Sequence, residues 1–160
     1  MATRITPPES SSRAALWCPT DFDAVAAYTG LRISLGVAMF MHGLARFIGG
    51  IGHFAQPTIA GFARVALPHD AVVLVVYAIP YLEVVIGFPI VLGLFTRWAL
   101  LANVALLLVF IFGSSMQQNW GGVGNQLLYT LITSLLLLAV ALNRVSLDGL
   151  VVRRKSQPGT

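Results

Sequence analysis

Four runs of apolar residues, 24–48, 71–95, 98–114 and 123–142, take up more than half of this 160-residue chain. Each is close to the roughly 20 residues that cross a hydrocarbon core as a helix. Lipid offers no partners to backbone N–H and C=O groups, so runs of this length close their hydrogen bonds within helices. Only 10% of the residues are charged, against about 25% in soluble domains, and 57% are hydrophobic. The sequence therefore predicts an all-α integral membrane protein, a bundle of four transmembrane helices over 24–145. A polar segment rich in Pro, Ser and Thr (1–23) precedes it and a basic tail (146–160) follows, both expected to be mobile and solvent-exposed.

Orientation follows from the basic residues. Arg4 and Arg13 precede the first run, Arg97 lies between the second and third, and Arg144, Arg153, Arg154 and Lys155 follow the fourth. By the positive-inside rule both termini are cytoplasmic, and the two longer connections lie on the outer side. The net charge of +4 thus reports topology and not nucleic-acid binding. The terminal Arg-Arg-Lys cluster also suits contact with anionic headgroups.

Glu83 stands in the middle of the second run, where a central charge costs about 2.5–3.5 kcal/mol on insertion scales. Such a residue needs a partner in the protein interior. In the first run, Arg32, Gly36, Met39, His42, Gly43 and Arg46 share a helical wedge of about 120°. The glycines on that face permit close helix approach, and Gly87 repeats the device one turn from Glu83. Counted from the run midpoints at about 1.5 Å per residue, Arg32 lies about 6 Å to the cytoplasmic side and His42 about 9 Å to the outer side. A guanidinium can reach across the smaller offset and grip a carboxylate with two prongs, so Arg32 is the expected partner of Glu83. His42 is the competing or additional one.

Two readings of this polar cluster stand side by side. In one it fixes the register of two helices, as buried ion pairs can do without adding net stability. In the other it lines a pocket for a small polar-headed molecule such as a quinone. The carbonyls of a quinone would take hydrogen bonds from Arg or His, and Phe40, Tyr77, Tyr81 and Phe88 would wall its ring. Haem is not expected, because no second intramembrane histidine accompanies His42. No metal is expected either, since the three histidines and the acids lack ligand spacing. The single cysteine, Cys18, rules out a disulfide or a dithiol relay within the chain.

Two connections carry some pattern of their own. The 49–70 segment has glycine-rich ends and an apolar set in Phe54, Ile59, Phe62, Val65 and Leu67, which suits a stretch along the membrane surface, a lid or a docking face. The uncharged 116–126 segment, with Trp120, reads as an interfacial loop.

Taken in order, LRISLGVAMFMHGLARF, YLEVVIGFPIVLGLFTRWALL, QQNWGGVGNQLLYTLITSLLLL and NRVSLDGLV resemble the DoxX family of four-helix bacterial membrane proteins over about 31–152. The resemblance rests on Arg32, Gly36, the His42-Gly43 pair, Arg46 where lysine is commoner, Glu83 with Gly87, Leu92-Gly93-Leu94 with Thr96-Arg97, and Ser146-Leu147-Asp148. It implies a place in the bacterial inner membrane and a role as membrane subunit of a redox system that passes electrons to quinone. The family takes its name from the small membrane subunit of a thiosulfate:quinone oxidoreductase. This chain has no dithiol, nucleotide fingerprint or metal motif, so any electrons would come from partner membrane or membrane-associated redox subunits.

On that expectation Arg32 and Glu83 form the catalytic pair, balancing charge or relaying a proton. His42 and Arg46 would bind the quinone head, with Phe40, Tyr77 and Tyr81 as its walls. The alternative is a non-catalytic anchor or assembly subunit of a larger membrane complex. Transport is the third class, and it is disfavoured by the few polar residues in the last two runs, Asn103, Thr130, Thr133 and Ser134.

Overall fold

The computed structural model describes residues 21–146, and in it all four apolar runs are helices. In chain order these are α1 (Asp21–Ile48), the short α2 (Ile51–Gly61), α3 (His69–Leu92), α4 (Thr96–Met116) and α5 (Trp120–Leu138), closed by a 3-10 turn over Val140–Leu142. Among the described residues there is no strand. α1, α3, α4 and α5 are each long and apolar enough to cross a membrane. Much of the polar 1–23 segment and nearly all of the basic tail, with Cys18 and the Leu147-Asp148 pair, lie outside the described residues.

The helix ends follow local chemistry. Asp21 and Asp23 sit in the first turn of α1 and Arg46 in its last, each at the pole of the helix dipole that favours its charge. α3 ends at Gly93, whose left-handed φ of 68° directs its N–H back to the carbonyls of Pro89 and Ile90. Asn119 caps α5, its Oδ1 accepting from Gly122 N–H at 3.0 Å. That cap corrects the sequence reading at one place. The glycine-rich stretch after Trp120, expected in an interfacial loop, begins the last helix, and only residues 117–119 turn the chain.

Neighbouring spans run antiparallel around a four-cornered bundle, α1 against α3, α3 against α4, α4 against α5 and α5 back against α1. Its interior is Leu35 and Met39 of α1, Ile86 and Ile90 of α3, Leu100 and Leu106 of α4, and Leu136 of α5. α1 and α3 make the closest contact, and three glycines set it. A methyl group built on Gly36 would lie 2.6 Å from Val91 N, one on Gly87 2.5 Å from Phe40 N, and one on Gly43 2.7 Å from the Pro80 carbonyl. Backbone against backbone at this range is open only to glycine, the device by which membrane helices pack tightly without a hydrophobic driving force. The α4–α5 contact is held differently, by Asn103 donating to Thr133 Oγ1 at 2.9 Å in a fully buried position.

Candidate functional site

The glycine contacts fix which turns of α1 and α3 meet, and through them the partner of Glu83. Gly43 lies directly against Glu83 and Pro80, so Glu83 faces the last two turns of α1. Arg32 is eleven residues further down, about 16 Å along the axis. The expected Arg32–Glu83 pair therefore does not form. Arg46 Nη1 instead donates to Glu83 Oε2 in an ion pair. The Glu83 side chain is 2% exposed and that of Arg46 22%, so the acid is enclosed while the base opens onto a neighbouring space.

Arg32 is fully buried and serves the opposite end of the bundle. Its Nη1 donates to the carbonyls of Ile90 at 2.5 Å and Val91 at 2.9 Å, and its Nη2 to that of Val145 at 3.1 Å. The first two belong to the last turn of α3, where carbonyls have no intrahelical partner and where the dipole favours a cation. Arg32 thus ties the end of α3 to the segment following α5. Gly93 makes room for it, since a side chain there would meet Arg32 Nη1 at 2.9 Å. Alongside, Asn143 donates to Thr96 Oγ1 at 2.8 Å.

Arg46 stands at the wall of a cavity of about 460 Å³ that opens among α2, α3, α4 and the start of α5. The volume falls within the roughly 300–1,000 Å³ of small-molecule sites. Val72, Val76 and Ile79 of α3 and Val109 and Phe110 of α4 line it, and α2 covers it with Phe54 and Thr58, followed by Phe62. The guanidinium carbon of Arg46 lies 4.0 Å from the centre of the Phe54 ring, a cation–π contact that draws α2 onto the bundle. Of the functions left open for the 49–70 connection, the geometry favours the covering one. At the far side Gln126 and Ser114 form a second polar station, with Gln126 Nε2 donating to Ser114 Oγ at 2.8 Å.

Of the residues singled out from sequence, Arg46 and Glu83 come together and Arg46 reaches the cavity. The others do not line the cavity. His42 donates from Nδ1 to the Ala38 carbonyl of its own helix at 2.7 Å and meets the Tyr129 ring edge-on, 6.3 Å between centroids, on the α5 side. Phe40 and Phe88 pack on each other at 6.2 Å. Tyr81 packs edge-on against Phe47 at 4.9 Å, and both it and Tyr77 are exposed on the outer face of α3. None of these rings is in the cavity wall, which is built from Phe54, Phe62, Phe110 and Phe112. Phe54, Thr58 and Phe62 follow at four-residue intervals, the one sequence signal that could have placed them on a common face. Among the described residues no three His, Cys, Asp or Glu side chains gather as a metal site would require.

The fold and this arrangement define a multi-pass membrane protein of four apolar helices, with the Arg46–Glu83 ion pair beside a largely apolar cavity. The DoxX family model matches residues 27–116, from the second turn of α1 to the end of α4, and the chain belongs to that family. No curated protein and no solved structure gives a significant match.

Proposed function

We propose that the chain is the membrane subunit of a quinone-linked oxidoreductase of the bacterial inner membrane, and that the cavity beside Arg46 receives the quinone head. The observation that carries this reading is the position of Arg46, paired with Glu83 on one side and facing an apolar, aromatic-walled cavity of about 460 Å³ on the other. A guanidinium has five N–H donors, and the ion pair leaves several of them for a ligand carbonyl. The residues present fit the group: phenylalanine and valine walls for a ring, and a cationic donor for its oxygen. A bound quinone would supply the two-electron acceptor, with electrons delivered by a partner redox subunit.

The chain's own residues have separate tasks. Arg46 orients the head and favours negative charge on its oxygen, because a donor in a water-poor site acts far more strongly than one in water. Glu83 holds the guanidinium in place and keeps the pair neutral in lipid. It is also the one acid enclosed in the described spans beside the cavity, and so the group able to hold a proton there. Phe54 closes the site from the α2 side.

The test is quinone content. The complex is purified gently from its native membrane and extracted quinone is quantified, with co-purifying proteins identified by mass spectrometry. Arg46→Gln is expected to lower bound quinone about tenfold or more and to slow electron transfer to quinone, with thermal unfolding of the bundle retained. Wild-type complex without quinone refutes the reading, as does a folded Arg46→Gln complex with unchanged content and rate.

One observation favours the second reading, an anchor or assembly subunit. α5 is the least enclosed span, 11% buried over its most apolar window against 28–33% for the others, and it turns Leu127, Leu128, Leu131 and Leu135 outward. In that case a partner subunit co-purifies and quinone does not.

A further inference from the structure

Among the polar residues lining the cavity, Arg46 and the Gln126–Ser114 pair stand on opposite helix pairs, and the reading above uses only the first. Arg46, from the α1–α3 side, can only donate. Gln126, from α5, is the other, and its amide is divided: Nε2 is committed to Ser114 Oγ at 2.8 Å, while Oε1 is buried and accepts no hydrogen bond among the described residues. An acceptor enclosed without a donor is a costly arrangement, and buried polar atoms in native proteins almost always find a partner. Val109 and Phe110 stand on the same wall, and Gln117 and Asn119 also line the cavity without bonding to Oε1. The hydrogen missing from this station is one that a ligand hydroxyl would bring.

We propose that Gln126 is the specificity-determining residue of the cavity, accepting a hydrogen bond from a ring hydroxyl, so that the site binds the quinol form in preference to the quinone. The inference rests on the quinone-site reading and adds to it which redox form is held. A quinone presents two acceptors. It satisfies Arg46 and leaves Gln126 Oε1 unmet. A quinol presents a hydroxyl to each station, its oxygen accepting from Arg46 and its hydrogen going to Oε1. Ser114 is the positioning residue, because its hydroxyl accepts from Nε2 and so leaves Oε1 available. Preferring the reduced form raises the midpoint potential of the bound couple, by about 30 mV for each tenfold of preference. The bound quinone thereby becomes a better electron acceptor than the pool.

The experiment uses the full chain in lipid nanodiscs and a decyl-substituted benzoquinone, titrated anaerobically in its oxidised and reduced forms by calorimetry. One hydrogen bond gained is worth about threefold to tenfold in affinity, and that is the quinol preference expected of the wild type. Gln126→Leu should bring the ratio of the two affinities to about one, chiefly by weakening the quinol. Ser114→Ala should also lower the ratio, since a freed amide can turn and offer its NH2 to a carbonyl, and it carries the test if Gln126→Leu does not fold. A wild-type ratio of one, or a ratio that both variants leave unchanged, overturns the role of Gln126 while quinone binding stands. Failure of the wild type to bind either form overturns the quinone site and this inference together.

Discussion

Replacing Gly87 with alanine tests whether the α1–α3 register is set by backbone contact. The added carbon would sit 2.5 Å from Phe40 N, 2.8 Å from Phe40 Cα and 3.1 Å from the Gly36 carbonyl oxygen. Non-bonded heavy atoms come to rest at about 3.5–4.0 Å, so the helices must part by about 1 Å. All three neighbours are backbone atoms, and no side chain can swing aside. Overpacking of this kind costs about 1–3 kcal/mol, and two contacts under 3.0 Å place Gly87 at the upper end. Helix propensity returns up to about 1 kcal/mol, leaving a net loss of about 2 kcal/mol. Gly30 and Gly124 are the controls, since a methyl on either meets nothing within 4 Å. Alanine there should be neutral or stabilise by up to about 1 kcal/mol. Reversible unfolding in mixed detergent micelles gives the three values. If Gly87→Ala falls within about 0.5 kcal/mol of the two controls, the close approach does not hold the register.

Two further substitutions probe the polar contacts away from the cavity. Arg32→Lys keeps the charge but cannot span the Val91 and Val145 carbonyls together, and should cost about 1.5–3 kcal/mol, with faster amide hydrogen exchange confined to the end of α3; unchanged exchange there would refute the tie. Asn103→Leu loses the bond to Thr133 but also removes a buried Oδ1 that has no partner among the described residues, so its cost should stay near the roughly 0.6 kcal/mol typical of membrane helix hydrogen bonds. A loss above about 2 kcal/mol in the same unfolding measurement would mean that Oδ1 has a partner beyond the described chain.

The four spans were legible because lipid imposes length and apolarity on any segment that crosses it, and the run boundaries needed only small adjustment. The pairing was not, because helix register does not follow the midpoints of apolar runs. Matching the midpoints of the runs 24–48 and 71–95 puts Glu83 level with Gly36. The glycine contacts put it level with Gly43, seven residues or about 10 Å along. Helix register in a bundle is decided by where backbones can touch, and the small residues that carried that information were visible on the right face. Arg32 was legible as buried but not as a ligand of helix-end carbonyls, because those acceptors are backbone and leave no mark in the sequence. The cavity was hidden for a related reason. Its wall combines a connecting segment with positions on all four spans, and Gln126 and Ser114 are ordinary polar residues until the bundle brings them together.

The ion pair also bears on how the chain enters the membrane. Arg46 and Glu83 are 37 residues apart, so at about 5–20 residues per second the base emerges from the ribosome some 2–7 s before the acid. During that interval Arg46, in the last turn of α1, can keep its head in water by snorkelling, and the first span inserts without penalty from it. Glu83 has no such escape in the middle of α3. The order of synthesis supplies its counter-charge on a first arm that precedes it, which offsets part of the roughly 2.5–3.5 kcal/mol that a central charge costs.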